Sequence, residues 1–169
     1  FEPPASAVDG KRVTGFRRIG KRLVFEIEDD LFVVVHLMVA GRLRMRPAGA
    51  PIPPKRGLAA FDFPEMTFLL TEEGTKKRAS IHVVRGEESL TDHDRGGVEP
   101  FAMTVEQLGE ALRRERHTLK RALTDARLVS GIGGAYADEI MHRARVSPIG
   151  RTDRLSDDNI ARLPTATRE

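Results

Sequence analysis

The chain of 169 residues contains no cysteine. Disulfide bonds and thiolate metal sites are therefore excluded from it, and cysteine usage gives no information about its compartment. It also has no apolar run close to the roughly 20 residues that a membrane-spanning helix requires. The longest such run, residues 31–35, has the length of a strand. No signal peptide is visible, so we expect a cytoplasmic location and no membrane contact.

The composition is that of a folded protein, with 40% hydrophobic and 31% charged residues. The length allows one domain or two small ones. The net charge is only +3, but the basic residues are clustered. Residues 11–22 hold six of them and no acidic residue, and Arg42, Arg44 and Arg46 alternate so that a strand would place them on one face. Such clusters favour phosphate binding, although a solvated basic surface explains them equally well.

The first half of the sequence predicts β-strands. Short segments rich in Val, Phe, Ile and Leu are separated by turn residues, among them Asp29-Asp30 and residues 72–74, which both resemble hairpin turns. Four prolines predict a loop over residues 47–54. Without an intervening helix, this pattern is typical of an antiparallel sandwich or barrel. The predicted strands are 12–18, 21–28, 31–38, 42–45, 58–63, 66–71 and 77–84.

The second half predicts helices. Thr104 and Gln107 have the spacing of a capping box, and two further helices are predicted at 117–124 and 135–145. In the latter, Tyr136, Ile140 and Ala144 would share one face at i, i+4 and i+8. A fourth helix is capped by Ser156, and Pro164 should kink or end it. The boundary near Gly96-Gly97 gives an α+β chain with domains at 1–97 and 98–169.

A glycine-rich segment precedes the third predicted helix. Gly131, Gly133 and Gly134 permit a tight turn whose amide groups stand unpaired at a helix N-terminus, where phosphate can bind. A plain connection between two helices is the alternative interpretation of the same residues.

Residues 131–139 resemble the helix–two-turns–helix signature of the formamidopyrimidine-DNA glycosylase and endonuclease VIII family, G-[IV]-G-N-x-Y-[AS]-[DS]-E. The flanking segments 118–125, 144–148 and 155–160 are similar as well. Residues 17–23 and 36–43 resemble two β-sandwich motifs of the family in the same order and spacing. The resemblance implies an antiparallel β-sandwich followed by a helix–two-turns–helix domain, with duplex DNA in the cleft between them.

The resemblance also implies an activity. Family members excise oxidised or ring-opened bases and then cut the abasic strand, using the secondary amine of an N-terminal proline in a Pro-Glu-Leu-Pro motif. This chain begins Phe1-Glu2-Pro3-Pro4. We therefore expect the catalytic segment to lie outside the 169 residues and this chain alone to be inactive as a DNA glycosylase and AP lyase.

Zinc is expected only in a C-terminal finger outside this chain. The five histidines show no spacing of metal ligands, so no metal site is predicted among these residues. They are His36, His82, His93, His117 and His142.

The family's binding positions can be carried over residue by residue. Lys21 corresponds to a lysine that contacts the phosphate beside the lesion and assists elimination. His36 corresponds to a second phosphate contact, and Lys120 to a lysine near the flipped base or its phosphate. The resemblance assigns the shape of the phosphate-binding turn to Gly131, Gly133 and Gly134, and Tyr136 to the start of the helix behind it.

Two departures leave the substrate open. Gly134 replaces the signature asparagine, whose side chain contacts phosphate in the family. Val39, preceded by Met38, occupies the place of the void-filling methionine, and residues 78–86 contain no Arg-Arg-Phe-Gly. We expect a monomer that binds duplex DNA with a damaged base or abasic site, in the bacterial cytosol or nucleoid. The alternatives are a catalytically inactive DNA-binding module of the same fold and an RNA- or ribosome-associated protein.

Overall fold

The computed structural model describes residues 3–169, in two compact units that meet between Gly86 and Glu87. The first unit contains seven strands in two antiparallel sheets, of order β1-β2-β3-β7 and β4-β6-β5. All seven predicted strands are present, and the antiparallel sandwich is confirmed. The strands are β1 (Val13–Ile19), β2 (Arg22–Ile27), β3 (Leu31–His36), β4 (Gly41–Pro47), β5 (Gly57–Asp62), β6 (Met66–Glu72) and β7 (Ser80–Arg85).

The core of the sandwich comes from inward-facing residues of both sheets. The Phe25 ring of β2 stacks on the Phe61 ring of β5, with centroids 5.5 Å apart and planes inclined by 13°. Buried aliphatic residues complete this layer, which fixes the register of each strand because a one-residue slip would expose them. They are Ile27, Leu31, Val33, Val35, Leu70 and Val83.

The two predicted hairpin turns have different outcomes. Asp29 and Asp30 join β2 to β3 with φ values of 63° and 59°, a left-handed conformation that aspartate tolerates. The prediction of a hairpin turn at residues 72–74 is wrong. β6 pairs with β4 and β5, whereas β7 pairs with β3, so the intervening loop crosses from one sheet to the other.

The second unit contains four helices, α1 (Val105–Arg113), α2 (Leu119–Thr124), α3 (Gly134–Ala144) and α4 (Asp157–Arg168). The predicted capping box is confirmed: Gln107 N donates to Thr104 Oγ1 at 3.1 Å, and Thr104 N donates to Gln107 Oε1 at 2.9 Å. α2 begins two residues later than predicted, because Thr118 caps it. α3 ends at Ala144, because Arg145 is left-handed with φ 54°.

Two details of the helices go beyond the sequence patterns. The buried residues of α3 are Ala137, Ile140, Met141 and Ala144, whereas the side chain of Tyr136, in the first turn of the helix, is 74% exposed. α4 does not end at Pro164 but continues to Arg168. Proline removes one backbone hydrogen bond, and the burial of Leu163, Pro164 and Ala166 compensates for that loss.

The division between the units lies before the boundary predicted near Gly96-Gly97. Residues Glu87–His93 form a 3₁₀ helix that belongs to the helical unit. Val98 forms a β-bridge with Val129, and Ser130 N donates to Val98 O at 2.9 Å. No helix within residues 3–169 has the length and apolarity needed to cross a membrane.

Candidate nucleic-acid interface

Lys21 and His36 lie at the same end of the sandwich. Ile19 pairs with Arg22 across a two-residue turn, and Gly20 at φ 58° allows that turn to close with Lys21 at its tip. Arg22 in turn pairs with His36, the last residue of β3. The register therefore gathers Lys21, Arg22 and His36 into one cationic cluster. Lys21 is exposed, and its ammonium has no partner within residues 3–169.

The electrostatics of His36 suit a phosphate ligand. Burial lowers the pKa of His36 below 6.5, and the positive charges of Arg22, Lys21 and His82 lower it further. The imidazole is therefore mostly neutral near pH 7. An anion bound among these side chains would favour the protonated form of His36. The positive charge of the cluster would therefore increase when phosphate binds.

Two exposed apolar side chains occupy the turn that follows His36. Met38 is 43% exposed and Val39 is 85% exposed. Met38 also has φ 56°, a left-handed conformation that is unusual for an unbranched apolar residue. An exposed apolar tip beside cationic groups has the chemistry of a wedge that enters a base stack. Val39 is the residue that the resemblance placed at the void-filling position.

In the helical unit, the glycine segment forms the predicted turn. Gly131 has φ 77°, Gly133 is the extended N-cap, and Gly134 is the first residue of α3. The first helical bond runs from Ala137 N to Gly133 O at 2.8 Å. The amides of residues 134–136 therefore have no partner inside the helix. They stand at the positive end of the α3 dipole, beside the exposed Tyr136 ring, where a phosphate can be bound.

Lys120 lies near this turn but is engaged in an ion pair. Its Nζ is 2.8 Å from Asp138 Oδ1 on α3, and its side chain is 48% exposed. A phosphate could be contacted by Lys120 only in competition with Asp138. Lys120 is thus placed on the same face as the start of α3, with a carboxylate partner that the sequence did not reveal.

A network that sequence reasoning missed fixes the chain ahead of the turn. Asp125 Oδ1 accepts from Arg127 N at 2.9 Å, and Asp125 O accepts from Leu128 N and Val129 N at 2.9 Å each. The Arg127 guanidinium and backbone N–H hold the pKa of Asp125 at about 2, below its ordinary 3.8. An aspartate at the end of a helix, two residues before arginine, is the sequence signal for such a turn.

Glu115, His117 and Asp125 are the one group within residues 3–169 with metal-ligand chemistry, their ligand atoms lying within 4.8 Å of one another. His117 Nε2 is 2.6 Å from Glu115 Oε2. The Arg127 guanidinium lies 2.6 Å from Asp125 and 3.5 Å from Glu115, so it already compensates both carboxylates. These residues come from two loops, which is why the spacing of histidines in the sequence did not show them.

Two family models match the chain, one to each unit. The model of the formamidopyrimidine-DNA glycosylase N-terminal domain matches residues 2–81. The model of the helix–two-turns–helix domain of the same enzyme matches residues 97–169.

Individual proteins agree with these matches. The formamidopyrimidine-DNA glycosylases of Roseiflexus sp. and Cytobacillus firmus are 31% and 33% identical, over 94% and 91% of this chain. A solved complex of Lactococcus lactis Fpg with DNA containing an abasic site has a TM-score of 0.82 at 26% identity and covers 94% of this chain. A structure of MutM with DNA containing carbocyclic 8-oxo-G has a TM-score of 0.82 at 25% identity, over 95% of this chain.

The chain covers only part of the length of each of these relatives. The chain spans 58% of the length of the Roseiflexus protein and 57% of the Cytobacillus protein. It spans 59% of the Lactococcus chain and 61% of the MutM chain.

Proposed function

Since this chain belongs to the formamidopyrimidine-DNA glycosylase family, we propose that it acts in base-excision repair and binds duplex DNA at damaged bases or abasic sites. The observation that carries this proposal is the glycine turn of Gly131, Gly133 and Gly134. The turn directs unpaired amides outward at the family signature. Such a helix N-terminus binds an anion through fixed dipoles, and therefore without regard to base sequence.

Each site residue has a part in this proposal. Lys21 contacts the phosphate beside the lesion and assists elimination, and His36 contacts a second phosphate. Lys120 approaches the extruded base or its phosphate after exchanging Asp138 for the nucleic acid. Tyr136 supports the turn from the first turn of α3. These contacts hold the DNA backbone in a fixed position relative to the groups that perform the chemistry.

The proposed chemistry is base excision followed by cleavage of the abasic strand. It requires an amine nucleophile, and the family's Pro-Glu-Leu-Pro motif does not occur among these 169 residues. We therefore expect a polypeptide of these residues to bind an abasic duplex without forming a covalent adduct. Borohydride trapping would test this, since a trapped adduct would place a competent amine within the chain.

Zinc has no step in this mechanism. The finger of the family needs thiolate or imidazole ligands, and this chain has no cysteine. The mixed group of Glu115, His117 and Asp125 is paired with the Arg127 guanidinium and does not fit a finger. In the proposal, a zinc finger belongs to sequence outside these residues.

The binding preference is the direct test. Fluorescence anisotropy should compare a duplex with an abasic-site analogue, the same duplex undamaged, and a structured RNA with an equal number of phosphates. We expect the abasic duplex to bind most tightly, because the exposed tip at Met38 and Val39 can fill its gap. Tighter binding to the RNA would favour the RNA-associated alternative and overturn the proposal.

Lys21→Ala should weaken binding to the abasic duplex and reduce its salt dependence. Each phosphate contact contributes about 0.9 to the slope of log K against log salt concentration, so the slope should fall by that amount. Lys21→Arg is the matched control, because it keeps the charge and should keep the slope. An unchanged slope in Lys21→Ala would place this lysine away from the DNA backbone.

A further inference from the structure

We propose that the sandwich carries a second phosphate-binding site, a groove formed by Lys55, Lys77 and the ion-paired Arg56, which holds the DNA backbone on one side of the lesion contacts. This inference rests on the proposed function and extends it to residues that the family resemblance did not assign. The groove has a volume of about 640 Å³, and its polar lining consists of Lys55, Arg56, Glu72, Glu73 and Lys77.

The groove lies between two loops that are rigidly joined. Gly57 N donates to Pro53 O at 2.8 Å, and a Cβ at Gly57 would lie 2.3 Å from Ile52 Cγ2, so only glycine allows this loop to close. Glu72 N donates to Arg56 O at 2.8 Å and links the first loop to the second. Rigid arms lower the entropy that must be lost when a ligand binds.

A buried carboxylate shapes the second loop. Glu72 is only 2% exposed, and its Oε2 accepts from Arg78 N at 2.8 Å and from Ala79 N at 3.1 Å. Lys77 Nζ donates to the backbone oxygen of Glu72. The charge of Glu72 is therefore directed into the protein, while the side chain of Lys77 is held along the wall of the groove. Glu72 acts as a positioning residue for this loop.

The exposed charge of the groove is positive. Arg56 is 3.1 Å from Glu73, so these two side chains compensate each other. Lys55 has no ion-pair partner in the described part of the chain, and Lys76 and Arg78 are exposed on the neighbouring loop. A polyanion thus meets several cations and no uncompensated surface carboxylate, which is the electrostatic footprint of a nucleic-acid site.

The register places the groove at the same end of the sandwich as Lys21 and His36. Gly41 pairs with Glu72, and Ser80, which follows the second loop, pairs with His36. Gly41 follows His36 by five positions, so the Cα atoms of these two strand ends, next to which the two sites lie, are at most about 18 Å apart. At about 3.4 Å of axial rise for each nucleotide, that distance corresponds to about five nucleotides of one strand. A single DNA backbone can therefore contact both sites.

The test measures salt slopes on duplexes of different length. One abasic duplex extends about ten base pairs on both sides of the lesion, and two others are cut to about two base pairs on one side or the other. We expect Lys55→Gln with Lys77→Gln to reduce the slope by about 1.8 on the long duplex. On one of the two shortened duplexes, the substitutions should have no effect. Lys11→Gln is the matched control, because Lys11 pairs with Asp29 at the opposite end of the sandwich and should leave every slope unchanged.

Outcomes separate this inference from the proposed function. If Lys21→Ala lowers the slope and the double variant does not, the groove is not a DNA site and only this inference is overturned. An equal loss on all three duplexes, or a loss equalled by Lys11→Gln, would also overturn it, because it would reflect net charge alone. If the unaltered protein binds structured RNA in preference to the abasic duplex, both the inference and the proposed function are overturned.

Variants of Glu72 test its positioning role. If Glu72 acted only as a negative charge, Glu72→Ala would tighten DNA binding. If Glu72 positions the loop, Glu72→Ala should instead weaken DNA binding and reduce the salt slope. Glu72→Gln should restore both, because its amide oxygen can still accept hydrogen bonds from the backbone N–H groups of Arg78 and Ala79. A thermal melt shows whether Glu72→Ala is folded. If it is not, the variant with both Lys55→Gln and Lys77→Gln tests the groove. Tighter binding of a folded Glu72→Ala would contradict the positioning role.

Discussion

Gly134 stands at the first position of α3 with space for a side chain. No atom lies within 4 Å of the position that its Cβ would take, and its φ is not positive. The family signature has asparagine at this place. Glycine there supplies only its backbone amide, so the turn lacks one donor that the surrounding structure could accommodate.

Gly134→Asn should therefore tighten binding to an abasic duplex by roughly 1.5–3 kcal/mol, the range of a hydrogen bond to a charged group. It should also raise the melting temperature slightly, because asparagine has less backbone freedom to lose than glycine. Binding isotherms at matched salt would measure the first effect. Gly134→Ala is the control, since it adds a Cβ without a donor; equal affinities of the two variants would mean that the asparagine side chain reaches no phosphate and that this turn does not hold phosphate as its relatives do.

Met38 occupies a backbone conformation that favours glycine. Its φ is 56°, which lies in the left-handed region. A left-handed conformation costs an L-residue about 1–2 kcal/mol, while glycine loses about 0.5–1 kcal/mol more backbone entropy on folding. Met38→Gly should raise the free energy of unfolding by up to about 1.5 kcal/mol.

Chemical denaturation would measure this effect. Val39→Gly is the matched control, because Val39 has no positive φ and glycine there should bring no gain. A similar change in both variants would mean that the left-handed backbone of Met38 is not strained.

At the scale of elements, the chain between α2 and α3 is held by Asp125. Hydrogen bonds from Arg127 lower the pKa of Asp125 to about 2, so its charged form is favoured in the folded protein. Because the folded pKa lies below the unfolded value of 3.8, this stabilisation is fully present only above about pH 5. It is lost as the pH falls towards 2.

Asp125→Asn should accordingly lower the melting temperature at pH 5–7, and the difference from the unaltered protein should shrink as the pH falls from 4 to 2. The shift should be modest, because the pair lies at the surface and is screened by solvent. Thermal melts over this pH range would measure it, with the exposed Asp92→Asn as control. A difference that does not vary with pH would show that Asp125 acts through its neutral hydrogen bonds alone.

The elements that sequence predicted well are those governed by local patterns. The seven strands follow from apolar clusters bounded by turns. The start of α1 follows from the capping-box spacing of Thr104 and Gln107. The errors involve partners distant in sequence. Nothing near residues 72–74 shows that β7 pairs with β3, and the continuation of α4 through Pro164 depends on burial against the rest of the helical unit.

The candidate site shows the same division. The position of Lys21 beside His36 follows from one hairpin and its neighbouring strand, which are local features of the sequence. The Glu72 contacts and the Lys120–Asp138 pair join segments that no local pattern relates. Helical spacing relates Tyr136 to Ile140 and Ala144 but does not show that its place in the first turn leaves it exposed.

At the scale of the whole molecule, each unit has its own core. Phe25 and Leu70 belong to the sandwich core, and Leu112 and Met141 to the helical one. The 87–169 fragment should therefore fold alone into a helical domain with a cooperative thermal transition, because its buried residues do not depend on the strands for their cluster.

Circular dichroism during heating, supported by the dispersion of amide resonances, would test this expectation. A helical signal that declines gradually without a transition would show that the helical unit requires the sandwich for its tertiary packing.

The alternating arginines of β4 have one more consequence. β4 is an outer strand of its sheet, so its unpaired backbone groups could accept a strand from a second molecule. Arg42, Arg44 and Arg46 are exposed along it, and Pro47 at its end lacks an N–H. Two such strands brought together would oppose like charges at successive positions. The same basic residues that suit a nucleic-acid protein thereby act as gatekeepers against edge-to-edge aggregation when the protein is concentrated.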